Sequence, residues 1–62
     1  MTSIIIQTPT RKIELVEDSI NGHPIYGFFR NGIVYVISKR EFDSVIESAR
    51  KEGFNIFDYR TF

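Results

Sequence analysis

The stretch "IYGFFRNGIVYVIS", Ile25–Ser38, decides the fold. An Asn-Gly pair sits at its centre between runs of aromatic and β-branched residues, the pattern of two strands joined by a two-residue type I′ turn. Both central positions of that turn need positive φ, which Asn and Gly tolerate best. With Asn31 and Gly32 as the loop, the pairing follows directly: Arg30 opposite Ile33, Phe29 opposite Val34, Phe28 opposite Tyr35, Gly27 opposite Val36 and Tyr26 opposite Ile37. One face of the hairpin then carries Ile25, Gly27, Phe29, Val34 and Val36. The other carries Tyr26, Phe28, Arg30, Ile33, Tyr35 and Ile37. Both faces are largely apolar, and a single helix covers only one.

Immediately after the hairpin the hydrophobic period changes from two to 3.6. Phe42, Val45, Ile46 and Ala49 form one helical stripe. Ser38 is placed as an N-cap, with Glu41 three residues on completing a capping box. Gly53 stands where a helix-ending glycine belongs, with Phe54 able to fold back on the last turn. The spacing predicts a helix over Lys39 to Glu52.

Upstream, "SIIIQT" reads as a strand from Ser3 to Thr8, and "TPTR" around Pro9 as a turn or an edge break. "KIELVED" alternates, with Ile13 and Leu15 on one face against Lys12, Glu14 and Val16, and reads as a second strand. "SINGHP" holds the turn dipeptide Asn21-Gly22. Downstream, "FNIFDYRTF", residues 54–62, reads as a final strand or an extended tail. The expected fold is α+β: an antiparallel sheet of three to five strands with one amphipathic helix packed on one face, in the order β-β-β-β-α, with a terminal β as the variant. Residues 1–62 form one small domain.

Gly27 lacks a side chain that would hold a helix away, so the helix is expected over the Gly27 face. The expected core is Phe29, Val34, Val36, Phe42, Val45, Ile46 and Ala49, joined by Ile13 or Leu15. The opposite face then has no helix. It is covered by another part of the chain, by a partner, or not at all.

Composition narrows the function. A chain of 62 residues buries only about 60% of the surface its unfolded form exposes, so its stability is marginal. It has no Cys and one His, which removes disulfides and thiolate metal sites. Packing or a partner subunit is left to stabilise it. Its 42% hydrophobic residues, with six Phe and three Tyr, suffice for folding. Eight basic and eight acidic residues cancel, so no global field draws the chain to nucleic acid or an anionic membrane. "MTSIIIQTPT" has neither the basic region of a signal peptide nor the length of a membrane span. The expectation is a soluble, cytoplasmic protein.

Motifs for catalysis are weak. His23 lies between turn signals without a positioned partner. Ser3, Ser19, Ser38, Ser44 and Ser48 lack a G-x-S-x-G context. Glu14, Glu17 and Asp18 read as a solvated face rather than a metal cage. No glycine pattern cradles phosphate. The reading is a non-enzyme with no cofactor, no metal and no catalytic residue.

Two binding readings remain. The preferred one is a protein-binding regulator or inhibitor whose partner is another protein or a second copy of the chain, as a homodimer. Its contact residues are Tyr26, Phe28, Arg30, Tyr35 and Ile37, because Tyr and Arg bury area while satisfying a polar tip. "SIIIQT", if it lies at an edge, offers a second route by strand addition. The alternative is nucleic-acid binding, with Tyr26, Phe28 and Tyr35 as a stacking platform. Arg30, Lys39 and Arg40 would then contact phosphates. Lys39 and Arg40 fall in the first helical turn, where cations oppose the macrodipole.

Overall fold

The computed structural model describes residues 2–59. Its elements are β1 (Thr2–Gln7), β2 (Lys12–Ile20), β3 (His23–Arg30), β4 (Ile33–Ile37), α1 (Lys39–Glu52) and β5 (Asn55–Asp58). All five strands belong to one antiparallel sheet in the order β4-β3-β2-β1-β5. The α+β class, the helix bounds and the terminal strand match the sequence reading. Residues 60–62 of the expected tail lie outside the described residues.

Two Asn-Gly turns set the register. At the β3–β4 turn, Asn31 and Gly32 have φ of 52° and 77°, and the five pairs from Arg30↔Ile33 to Tyr26↔Ile37 are those the turn demands. At the β2–β3 turn, Asn21 and Gly22 have φ of 53° and 80°. This second tight turn pairs Ile20 with His23, and hence Leu15 with Phe28 and Glu14 with Phe29. Pro24 fits because its missing N–H would point away from β2, on the side where β4 has already ended at Tyr26↔Ile37. The β1–β2 loop is closed by Thr8. Its N–H donates to the Arg11 carbonyl at 2.9 Å, and its Oγ1 accepts from the Arg11 N–H at 3.0 Å.

The helix has both expected caps. The Glu41 N–H donates to Ser38 Oγ at 3.1 Å. At the other end Gly53 has φ 77° and donates to the Arg50 carbonyl, while Phe54 donates to the Ala49 carbonyl. These two bonds are the Schellman pattern. Fourteen helical residues span about 21 Å, close to the roughly 19 Å across four strand intervals. The helix therefore carries the chain from the β4 edge to the opposite edge, where β5 pairs with β1.

The core corrects the sequence reading. The buried cluster is Ile4, Ile6, Leu15, Phe42, Ile46 and Ala49, with Ile13, Tyr26, Phe28, Ile37, Val45, Phe54 and Ile56 packed against it. The helix thus lies on the Tyr26–Phe28 face, with the rings of Tyr26 and Phe42 4.8 Å apart. Phe29, Val34 and Val36, expected in the core, are 37%, 41% and 74% exposed. The physical reason is β2. Its register puts Ile13 and Leu15 beside Phe28, and Lys12, Glu14 and Asp18 on the face of Gly27. A helix on that second face would bury three charges. Gly27 has a different use. A Cβ there would stand 2.7 Å from Val34 Cγ1 and 2.9 Å from Val16 Cγ2, so the missing side chain makes room for its strand neighbours.

Candidate interaction surface

The face without a helix carries two rows of side chains that cross the sheet. The first runs Val34, Phe29, Glu14, Ile5, Phe57 through all five strands. The second runs Val36, Gly27, Val16, Ser3. Ile25 extends the apolar surface on β3 and is half-buried. Val16, at 4% exposure, is covered by its own neighbours, whereas Phe57 remains 49% exposed. In the middle, Ser3 Oγ donates to Glu14 Oε2 at 3.2 Å. Exposed Lys12, Asp18 and His23 stand around this surface. The result is a face with exposed apolar residues towards β4 and β5, a Ser3–Glu14 pair between them, and charged residues at its margin.

The residues singled out from sequence are divided by the fold. Tyr26, Phe28 and Ile37 are half-buried against the helix-side core. Tyr35 shares their face but is 51% exposed, near the β4 edge, and Arg30 is exposed at the end of β3. A homodimer burying Tyr26, Phe28 and Tyr35 together would have to displace the helix. "SIIIQT" is interior, since β1 lies between β2 and β5. The edges are β4 and β5.

The proposed phosphate contacts are separated as well. Arg30 pairs with the first residue of β4, and Lys39 follows its last by two positions, so about 17 Å of strand divides them. Lys39 Nζ instead donates to Asp43 Oδ2 at 2.7 Å. That bond and the carboxylate's charge raise its pKa above the ordinary lysine value. Arg30 has other cationic company. Arg11, Lys12 and Arg30 line an open groove of about 330 Å³ beside Phe28, Phe29 and Glu14, where the β1–β2 loop and β3–β4 turn meet. Sequence reading missed this cluster. The signal was available, because the Asn21-Gly22 register places Lys12 beside the end of β3.

Among the described residues, no three His, Cys, Asp or Glu side chains converge on a common point. None of their helices is long and apolar enough to cross a membrane. No protein family, curated protein or solved structure matches the chain.

Proposed function

We propose that the chain is a small non-enzymatic protein-binding module, a regulator or inhibitor that acts through its uncovered sheet face. One observation carries this reading: the two side-chain rows that cross the sheet opposite the helix and leave Phe29, Val34, Val36 and Phe57 in solvent. Exposed large apolar residues gathered on one face of a small fold are a common mark of a contact site. The proposed contacts are therefore Phe29, Val34, Val36 and Phe57; Tyr35 and Arg30 lie on the helix side of the sheet, at its margin. Tyr26, Phe28 and Ile37 act in this reading through the core they support.

The test uses Phe29→Ser with Phe57→Ser. Both side chains are partly exposed already, so the helix signal in circular dichroism should persist. An apolar anchor at an interface centre is often worth 2 kcal/mol or more, roughly thirty-fold in affinity. A protein captured by the wild-type chain should be lost by this variant and kept by Glu47→Gln on the exposed side of α1. Equal capture by both variants would remove the face from the mechanism.

Sheet-mediated nucleic-acid binding is the second reading, and the Arg11–Lys12–Arg30 groove beside two Phe residues is what favours it. Three phosphate contacts would give a salt slope of about −2 on a log–log plot for a single strand. An apolar protein interface would respond little over the same range.

A further inference from the structure

The β4 edge holds a second, independent surface, made of backbone. β4 reads "IVYVI", with no charge, no proline and no glycine. It lies at the end of the sheet with four of its five residues exposed. Edge strands are normally blunted by charge, proline, a bulge or extreme shortness. The other edge is blunted in this way, since β5 has four residues and includes Asn55 and Asp58. In the β3–β4 hairpin the residues flanking the tight turn exchange hydrogen bonds, so Ile33, Tyr35 and Ile37 bond to β3. The N–H and C=O groups of Val34 and Val36 consequently point outward.

We propose that β4 pairs antiparallel with β4 of a second copy of this chain, about a two-fold axis at Tyr35. The spacing of the outward groups selects this register. Val34 of one chain bonds to Val36 of its partner and the reverse, giving about four interchain backbone hydrogen bonds in two rings. Tyr35 then meets Tyr35 at the non-bonded position, where side chains approach most closely. Ile33 meets Ile37. Every opposed pair is apolar, and no like charges face each other. The contact is isologous and closes at two chains, joining the sheets into one. It depends on backbone groups, so it stands apart from the face-binding reading.

Val36 separates the two surfaces experimentally. Its N–H serves the edge, while its side chain belongs to the open face. Sedimentation equilibrium from about 10 µM to about 1 mM should show the wild-type mass rising to twice that of the chain and no further. Val36→Pro removes an outward donor and leaves the β3 bonds intact, so it should weaken dimerisation at least about tenfold. Val36→Thr keeps the donor and the branched shape, and should change it by less than about threefold. Amide exchange of the wild-type chain gives a check that does not depend on a folded proline variant. The Val34 and Val36 amides should exchange more slowly as concentration rises, while Tyr35 and Ile37 are slow throughout. A monomer over the whole range, larger polymers, or concentration-independent exchange at Val34 and Val36 would overturn the proposal. A dimer dissolved by Val36→Thr and spared by Val36→Pro would overturn it too, and would instead place self-association on the open face.

Discussion

Replacing Gly27 by alanine tests which face of the sheet carries the core. The new Cβ would sit 2.7 Å from Val34 Cγ1, 2.9 Å from Val16 Cγ2 and 3.4 Å from the Tyr35 carbonyl oxygen. Neither methyl escapes easily. Both belong to β-branched side chains with restricted χ1, and Val16 is buried at 4% exposure. Overpacking of this kind costs about 1–3 kcal/mol. Restricting the unfolded chain by losing a glycine offsets about 0.4–1 kcal/mol. The net expectation is a loss of about 1–2 kcal/mol, with Tm falling by about 4–8 °C per kcal/mol in a domain this small. Val34→Ala removes the nearer obstacle from an exposed edge strand. In a double-mutant cycle read by urea denaturation, Val34→Ala should therefore rescue part of the Gly27→Ala loss, with a favourable coupling of at least about 0.5 kcal/mol. A second cycle with Val45→Ala on the helix should show additivity within about 0.3–0.5 kcal/mol. Coupling to Val45 without coupling to Val34 would refute the reasoning, because it would place the helix over Gly27.

Phe42 is fully buried, so Phe42→Ala should cost about 3–5 kcal/mol, comparable with the whole stability of a scaffold this size; circular dichroism should show a largely unfolded chain. Phe28→Ser should cost about 2 kcal/mol or more because Phe28 packs against the core, whereas Tyr35→Ser at half exposure should cost no more than about 1 kcal/mol, a contrast that denaturant midpoints resolve. The Lys39 ammonium should titrate above an ordinary lysine, and Asp43→Asn should lower it back towards the ordinary value in a ¹³Cε NMR titration. A raised folded-state pKa means that the pair's small contribution is complete below the unfolded lysine value and is lost as pH rises through the folded one, so its window is alkaline.

The hairpin, the helix and its caps were legible because each rests on local chemistry. Asn31-Gly32 fixes a register, and Ser38 and Gly53 bracket a stripe of Phe42, Val45, Ile46 and Ala49. The choice of covered face was also legible, through Asn21-Gly22. Treated as a second type I′ turn, it places Leu15 opposite Phe28 and Glu14 opposite Phe29, and the charges of β2 then rule out a helix on the Gly27 face. The misreading came from assigning the space at Gly27 to a helix, when same-face neighbours on β2 and β4 fill it. Ile4 and Ile6, both essentially fully buried, were less accessible. "SIIIQT" is apolar on adjacent positions, so alternation alone does not say which isoleucines face inward. The place of β5 beside β1 was not local at all. It depends on a helix as long as the sheet is wide.

The two proposed surfaces share Val34 and Val36, and this constrains how they combine. Edge pairing uses the backbone of these residues and leaves their side chains on the open face. The two-fold at Tyr35 would bring Val34 of one chain beside Val36 of the other on that face, so the apolar rows of both protomers would meet across the junction. A partner docking there would encounter a symmetric surface about twice as wide, with two equivalent sets of Phe29 and Phe57 anchors. The joined sheet also has only β5 edges left, and Asp58 and short length blunt them. Edge pairing thus removes the strand addition that an uncharged β4 invites, while the face keeps its exposed side chains for a different partner. In this arrangement Val36→Pro should lower the apparent affinity of a two-fold partner through lost avidity, and by more than that of a one-to-one partner, which loses only the Val36 side-chain contact. Isothermal titration with the wild-type and Val36→Pro chains separates the cases by stoichiometry. Equal affinity and equal stoichiometry for a two-fold partner would show that the edge and the face act without reference to one another.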